Sequence, residues 1–340
     1  MINSSAIISS PPILAESDET DELTTEVEWR KVVVANEQHG GRLDRALVDA
    51  APEFSRSYLQ QLIEAGLVTV NAQVARKASS RVKAGDMMRI ELRPTPQSQA
   101  FSPQAMPLDV VFEDEHILII NKPAGLVVHP APGNWSGTLL NGLLAYDKCM
   151  ALVPRAGIVH RLDKDTSGLM VVARSRAVMD LLVQAIADRE VSRQYLAIAQ
   201  RPWTGPSPRT VDAPIGRDPR NRLRMAVVDL ERQPGKTAKT DIILLTNGVD
   251  GCLVRCILHT GRTHQIRVHM ASLGLPLVAD TIYGGTCLPP LMSRQALHAA
   301  RLAFVHPVTL KSMTYQVPPP EDFVALLDFW GLRYNQVSWA

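Results

Sequence analysis

The last two thirds of the chain consist mainly of short apolar runs with strand composition, and this pattern narrows the possible folds most. GLMVVARS, QYLAIAQ, TAKTDIILLTN and CLVRCILHT are rich in Val, Ile and Leu, and turn-forming residues separate several of the runs. One amphipathic helix, VMDLLVQAIADRE, interrupts them. Strands in succession with few helices predict an α+β fold with a largely antiparallel mixed sheet and flanking helices.

Composition divides the 340 residues into four segments. Residues 1–28 contain seven acidic residues and no Lys or Arg, which predicts a disordered acidic tail. Pro and Gln cluster in RPTPQSQAFSPQAMP, so we expect a linker over residues 94–107. This linker separates a small basic module, residues 30–93, from a larger domain, residues 108–340.

The small module is predicted to contain two short amphipathic helices followed by strands. GRLDRALVDAAP gives the first helix, and SRSYLQQLIEAG gives the second, with Ser55 as the N-cap and Gly66 at the C-terminal end. LVTVNAQVA and MMRIEL are typical of strands. Three arginines lie on the helices away from the apolar stripe and are suited to bind RNA phosphates: Arg42, Arg45 and Arg56.

The formal net charge of +2 conceals an uneven distribution along the chain. The acidic tail carries −7, so the remaining residues carry +9. A basic body favours a polyanionic partner, although ordinary solubility charge explains net charge alone equally well.

Several features predict a cytoplasmic protein without a membrane segment. No apolar run approaches the roughly 18 residues of a spanning helix, and the N-terminus lacks the pattern of a secretory signal. Four cysteines without an export signal indicate reduced thiols. Strand alternation places Cys252 and Cys256 on one face, which favours core packing over metal binding.

Familiar cofactor and metal motifs do not occur in the chain. There is no G-x-G-x-x-G after a strand, no P-loop around Gly235, and no G-x-S-x-G. His259, His264 and His269 recur every five residues, which matches neither one helix face nor H-E-x-x-H. We therefore expect neither a cofactor nor a metal ion.

Acidic and basic residues instead concentrate at three places, each at the end of an apolar run. These are Lys122-Pro-Ala-Gly, HRLDKDTSG (160–168) and TGRTHQIRVHM (260–270). Three such clusters in one domain predict the rim of a single cleft. HRLDKDTSG contains two carboxylates, Asp163 and Asp165, which share a face in an extended segment and which the sequence pattern alone does not separate.

HRLDKDTSG, INKPAGLVVHP, TGRTHQIRVHM and LPLVADTIYGG together resemble the motifs of the RluA-type pseudouridine synthases. The similarity extends from about residue 108 to 330. The small module, residues 30–93, resembles the S4 RNA-binding domain. This second resemblance restricts the similarity to the branch of the family that modifies large-subunit ribosomal RNA. Residues 210–227 resemble the D-type members of that branch. PLVADTIYG departs from the family pattern, with Ala279 where the family usually has Gly.

The resemblance implies a pseudouridine synthase fold and an isomerase without a cofactor, which converts uridine to pseudouridine in 23S rRNA or a pre-ribosomal particle. A monomer is the expected state. Atoms are conserved in this reaction, so the chemistry requires a carboxylate near the sugar rather than a redox group. That carboxylate can attack C1′, remove the C2′ proton or add to the base.

The family motif assigns roles to individual residues. Asp163 matches the catalytic carboxylate, which leaves Asp165 as a turn or capping residue. Arg262 matches the arginine that pairs with that carboxylate, and binding to RNA phosphate is its alternative role. Tyr195 matches the tyrosine that stacks on the target base. Arg161 matches the residue that fills the space left by the flipped base.

Three further residues carry weaker assignments. Lys122 is expected to contact the RNA backbone or to brace the cleft. Arg193 stands where many relatives have Lys, and we give it a binding or ion-pair role. His160 is expected to orient its motif rather than to perform chemistry.

Two other functions compete with the synthase. A non-catalytic RNA-binding assembly factor would keep the same fold, but intact Asp163, Tyr195 and Arg262 argue against it. A sugar-acting hydrolase would need a second carboxylate in the same cleft, and Asp165 and Asp280 are the candidates.

Overall fold

The computed structural model describes residues 28–52, 54–92, 98–131, 133–221 and 224–333. These residues form two compact units, one within 28–92 and the other within 98–333. None of the helices in these ranges combines the length and apolar character that crossing a membrane requires. The predicted acidic tail lies outside the described residues, apart from Glu28.

The first unit packs two helices against a four-stranded antiparallel sheet. Its strand order is β1-β4-β2-β3. The elements are β1 (Glu28–Val33), α1 (Leu43–Ala50), α2 (Arg56–Glu64), β2 (Val68–Val70), β3 (Gln73–Val74) and β4 (Met87–Leu92). Both predicted helices are confirmed, and Ser55 caps α2 by accepting a hydrogen bond from the Tyr58 amide. The unit begins earlier than predicted, because β1 pairs with β4 along its whole length.

The second unit is built on a nine-stranded mixed sheet. Its strands are β5 (Val110–Glu113), β6 (Ile117–Lys122), β7 (Ser167–Ala173), β8 (Ser192–Gln200), β9 (Arg209–Asp212), β13 (Lys239–Asn247), β14 (Gly251–Leu258), β15 (Leu297–Val305) and β16 (Ser312–Gln316). Their order is β5-β6-β7-β15-β8-β14-β13-β9, with β16 paired to β15. The β7–β15 pair is parallel and the other pairs are antiparallel, as the α+β prediction required.

Four helices and a separate three-stranded sheet complete the described part of the second unit. The helices are α3 (Leu139–Tyr146), α4 (Arg176–Ala187), α5 (Gln265–Ser272) and α6 (Glu321–Phe329), and the small sheet contains β10 (Ile215–Arg217), β11 (Met225–Val227) and β12 (Gly235–Lys236). Sequence periodicity predicted α4 alone among these helices. In α3, all six residues from 139 to 144 are buried, so the helix shows no polar stripe that periodicity could detect.

The packing of the second unit bears on two predictions, the core position of two cysteines and the linker over residues 94–107. Cys252 and Cys256 pack with Val254 and Leu258 in the main apolar cluster, as strand alternation predicted. The second half of the predicted linker is not free, because the Asn141 side chain donates hydrogen bonds to the carbonyls of Ala100 and Ser102. Sequence composition missed this contact because Pro and Gln interrupt periodicity without preventing docking through the backbone.

Candidate active site

A cleft of about 810 Å³ opens in the second unit. Two loops form most of its wall. One is the segment before β7, which carries the HRLDKDTSG motif, and the other connects the end of β14 to the start of α5. Tyr195 from β8 and Leu297 from β15 also line the cleft. Two of the three predicted clusters thus meet at one cavity, while Lys122 is not among its lining residues.

The HRLDKDTSG loop is held in place from both of its ends. At its start, His160 Nε2 accepts a hydrogen bond of 3.1 Å from the Val171 amide. At its end, Gly168 has a φ of 114°, and a Cβ atom there would lie 2.2 Å from the Ala299 carbonyl oxygen. Glycine is therefore required at this position, where β7 pairs with β15.

Lys122 holds the middle of the same loop by a hydrogen bond to the Lys164 carbonyl. Its side chain is fully buried, and Nζ donates three hydrogen bonds of 2.7 to 2.9 Å. The acceptors are the carbonyl oxygens of Pro123, Leu126 and Lys164. The predicted contact between Lys122 and RNA is therefore wrong, because no part of the side chain reaches solvent. Of the two expected roles, bracing the cleft is the one that its contacts fit.

Arg267, the third residue of α5, holds Asp163 by an ion pair. Its Nη1 lies 3.0 Å from Asp163 Oδ2. Its Nε and Nη2 form a second, bidentate pair with Asp280 at 2.7 and 2.8 Å. Asp280 is completely buried, so it fixes the guanidinium, and the guanidinium in turn fixes one oxygen of Asp163. Burial opposes the charged form of Arg267, but Asp280 and Asp163 together outweigh it and raise the pKa above its ordinary value, which keeps the guanidinium charged.

Arg262 does not make the ion pair that the sequence predicted. Its Nε donates to the Thr237 carbonyl at 3.0 Å, and its side chain lies at the cleft wall. The residue comes before α5, in a turn ordered by Gln265, whose Oε1 accepts from the Arg262 amide at 3.0 Å. Helix α5 begins after this turn and directs Arg267 toward Asp163 instead. The motif therefore located the right segment but the wrong arginine.

Tyr195 faces the cleft from the middle of the sheet. The side chain is 5% exposed, and burial raises its pKa to about 12. The phenol consequently stays protonated at neutral pH and offers an aromatic face rather than a base. Arg193 lies on the same strand and the same wall, and its Nε has no hydrogen-bond partner among the described residues.

The cleft wall carries several cationic side chains around the carboxylate of Asp163. Arg161 is exposed and lines the cleft. The other arginines of the wall are Arg155, Arg189, Arg193, Arg262 and Arg267. This excess of positive charge suits an anionic polymer.

Asp165 and Asp280 do not line the cleft. Asp165 accepts a hydrogen bond from Arg294 through its backbone carbonyl, and Asp280 is completely buried behind Arg267. The hydrolase alternative required one of them beside Asp163 in the cavity, so the geometry does not support it. The geometry also distinguishes Asp163, which lines the cleft, from Asp165, which does not, although sequence alternation left the two equivalent.

Comparison with known proteins identifies the family. A model described as RNA pseudouridylate synthase matches residues 116–272, and one described as S4 domain matches residues 41–88. Ribosomal large subunit pseudouridine synthase D of Neisseria meningitidis serogroup B is 44% identical over 314 residues, which cover 89% of this chain and 82% of the relative. This chain belongs to the RNA pseudouridylate synthase family. It is an RNA pseudouridine synthase with an S4 domain.

Two further comparisons agree with this assignment to the RNA pseudouridylate synthase family. The large subunit pseudouridine synthase D of Escherichia coli K12 is 44% identical over 322 residues, which cover 90% of this chain and 97% of the relative. The structure of human RNA pseudouridylate synthase domain containing 1 superposes with a TM-score of 0.50 and 27% identity, covering 63% of this chain and 84% of that one.

The S4 domain of this synthase organises two of its three predicted RNA-binding arginines around Asp44. The Asp44 carboxylate is fully buried and accepts hydrogen bonds from Arg42 at 3.0 Å and from Arg56 at 2.8 Å. The bonds from Arg42, followed by those from Gln60 and Arg56, hold the pKa of the Asp44 carboxyl well below its usual range. Arg42 and Arg56 remain about half exposed, and Arg45 is exposed on the same helix as Asp44.

Sequence reasoning did not find the roles of four residues in or behind the synthase cleft: Arg267, His264, Tyr283 and Asp280, the last of which it named only as a possible second carboxylate. Two of them lie in TGRTHQIRVHM and two in LPLVADTIYGG, so the motifs contained them without indicating their roles. Ala279, the departure from the family pattern, has a φ of 58°, which is the left-handed conformation that glycine adopts freely. The backbone here thus keeps a glycine-like shape and accepts the strain of a methyl group.

Proposed function

We propose that this synthase isomerises specific uridines to pseudouridine in large-subunit (23S) ribosomal RNA, and that Asp163 acts on a uridine flipped out of its helix. The relatives are named as ribosomal large subunit pseudouridine synthases, which supports this RNA as the substrate. The S4 domain provides a second RNA-binding surface. The observation that carries the proposal for the chemistry is the state of Asp163. One of its oxygens is fixed by Arg267, and the residue lines the cleft with 16% of its side chain exposed.

The reaction breaks the N1–C1′ bond of uridine, turns the base and forms a C5–C1′ bond. The C5 proton leaves and N1 gains a proton, so the atoms balance without an outside reactant. A carboxylate at the sugar can act as the nucleophile at C1′ or as the base at C2′, and it stabilises positive charge that develops on the sugar. Fixing one oxygen by an ion pair lowers the cost of orienting the other.

The cleft also accounts for recognition of a single extruded base. The buried ring of Tyr195 offers a flat apolar face on which uracil stacks. In this proposal Arg161, an exposed residue of the cleft lining, occupies the gap in the RNA stack, because its planar guanidinium stacks and donates hydrogen bonds at the same time. Arg262 takes the alternative role of a phosphate contact.

The test is pseudouridine mapping on transcribed, unmodified 23S rRNA. Carbodiimide treatment followed by primer extension gives stops at modified positions for the unaltered chain. Asp163→Asn should give none while its RNA affinity stays within about twofold. The matched control is Asp165→Asn, which makes the same change two residues away and outside the cleft lining, and it should retain its stops.

Turnover by Asp163→Asn near that of the unaltered chain would refute the role of Asp163. Loss of turnover in both variants would mean that the loop, rather than one carboxylate, is required. If transcribed RNA gives no stops but pre-ribosomal particles do, the substrate is the assembling subunit. Location in the cytoplasm and action as a monomer stay predictions.

A further inference from the structure

His264 occupies a strained backbone position next to the catalytic carboxylate. It is the N-cap of α5 and has a φ of 57°, in the left-handed region. This conformation is unfavourable for a residue with a Cβ atom. Strained non-glycine residues cluster at functional sites, and His264 lines the cleft with 19% of its side chain exposed.

A hydrogen-bond chain behind the imidazole determines which ring nitrogen carries the proton. The Met225 amide donates to the Tyr283 hydroxyl oxygen at 2.9 Å, and that oxygen lies 2.8 Å from His264 Nδ1. Tyr283 is 7% exposed, so its own hydroxyl proton needs an acceptor. Among the described residues, His264 Nδ1 is the acceptor within reach. Neutral His264 therefore accepts at Nδ1 and carries its proton on Nε2.

The Nε2–H group faces the one oxygen of Asp163 that Arg267 leaves free. Nε2 lies 4.0 Å from Asp163 Oδ1, whereas Arg267 contacts Oδ2 at 3.0 Å. The separation exceeds a hydrogen bond, so the attraction is between the N–H dipole and the carboxylate charge. Oδ2 of Asp163 thus contacts Arg267, whereas Oδ1 faces the N–H group of His264.

We propose that His264 is a positioning residue for Asp163: Tyr283 fixes its neutral Nε2–H tautomer, and this N–H orients the Oδ1 oxygen toward the substrate sugar. The inference rests on the proposed role of Asp163. A neutral donor suits this position, because a second full positive charge would weaken the carboxylate as a nucleophile or base. Protonation would also place an Nδ1–H against the hydroxyl proton of Tyr283 and break the chain.

The groups that face His264 carry charges of both signs. Asp163 and Asp280 are anionic and favour the imidazolium, whereas Arg267 and Arg161 are cationic and oppose it. Burial lowers the pKa of His264 more than any of these charges shifts it, and the net result is a pKa below the ordinary value. The imidazole is therefore neutral at pH 7, as the tautomer argument requires.

The first test measures the tautomer directly in the full chain without RNA. Long-range proton–nitrogen NMR on protein labelled with ¹⁵N-histidine distinguishes Nε2–H from Nδ1–H, and loss of the signal in His264→Gln gives the assignment. The expected state at pH 7.5 is Nε2–H with an unprotonated Nδ1. Tyr283→Phe keeps the aromatic ring at position 283 but removes its hydroxyl group. In this variant neutral His264 should be a mixture of the Nε2–H and Nδ1–H tautomers. An Nδ1–H tautomer in the unaltered chain would overturn the inference.

The second test measures kcat and KM for pseudouridine formation as a function of pH. His264→Leu should lower kcat about 3- to 10-fold with KM unchanged within about twofold, which is less than a formed hydrogen bond to a charged group contributes, because the 4.0 Å separation exceeds a hydrogen bond. His264→Gln keeps an N–H near the Nε2 position and should recover most of that loss. His116→Leu, the same change directly before β6, should stay within about twofold of the unaltered chain.

The pH profile separates positioning from general damage to the fold. In the unaltered chain, kcat should fall as His264 protonates below its lowered pKa. Tyr283→Phe should move this fall to higher pH, because the hydroxyl stabilises the neutral ring, and His264→Gln should remove it. An identical profile in all three would refute the role of His264, whereas full activity of Asp163→Asn would refute the proposed function instead.

Discussion

Replacing Arg267 by methionine should destabilise the second unit by about 3–5 kcal/mol. Arg267 is 4% exposed in its side chain and Asp280 is fully buried, so the substitution leaves a carboxylate inside the protein without a partner. Removing one member of a buried ion pair costs about this much, because the remaining charge keeps its desolvation penalty. Domains are stable by only about 5–15 kcal/mol, so the expected loss is a large fraction of the total.

The assay is urea unfolding of the full chain at neutral pH, with Arg176→Met as the matched control. Arg176 pairs with Asp180 at 3.0 Å, but both side chains are more than 60% exposed, so this control should lose less than about 0.5 kcal/mol. The decisive variant combines Arg267→Met with Asp280→Leu. Removing both buried charges should recover most of the stability, since no unpaired carboxylate remains.

Activity should not recover in that double variant, because Asp163 still lacks the partner that fixes its Oδ2 oxygen. Pseudouridine formation, measured on the same preparations, should stay reduced by about 100-fold or more, as for other losses of orientation at a reacting group. A loss below about 1 kcal/mol in Arg267→Met would refute the reasoning about the buried pair. Recovery of activity together with stability would show that Arg267 does not position Asp163.

Three further predictions concern other parts of the chain. The low pKa of Asp44 stabilises the S4 domain above about pH 4 and loses this effect as the pH falls toward the folded-state value, so Asp44→Asn should flatten the acid side of its stability profile in unfolding experiments. Lys122→Met should lower the melting temperature, because three backbone carbonyls lose their buried donor, but should leave the salt dependence of RNA binding unchanged. When glutamine replaces the helix arginines Arg42, Arg45 and Arg56, the slope of log K against log salt concentration should decrease by about 0.7–0.9 for each phosphate that the domain no longer binds; an unchanged slope would mean that these arginines do not contact RNA.

Local patterns predicted most of the strands and the helices with a distinct apolar stripe. Alternation and turn residues located β7, β8, β13 and β14, and the N-cap at Ser55 marked the start of α2. The buried helix α3 and the short helix α5 gave no such pattern, because neighbouring elements cover them on nearly every side. Their formation depends on the sheet against which they pack, and a short segment does not encode that surface.

The sequence by itself determined the family, the two-part organisation and the segments that form the cleft. This information lies in the motifs HRLDKDTSG, INKPAGLVVHP, TGRTHQIRVHM and LPLVADTIYGG. Each of them contains the residue types that a turn or the end of a strand requires. Only the tertiary structure decided which side chains meet: Arg267 and not Arg262 holds Asp163, Asp165 lies outside the cleft, and Lys122 is buried beneath the loop. The physical reason is that contacts between residues far apart in the chain depend on where helix α5 begins and which way it directs its side chains, and this is settled by packing rather than by local sequence.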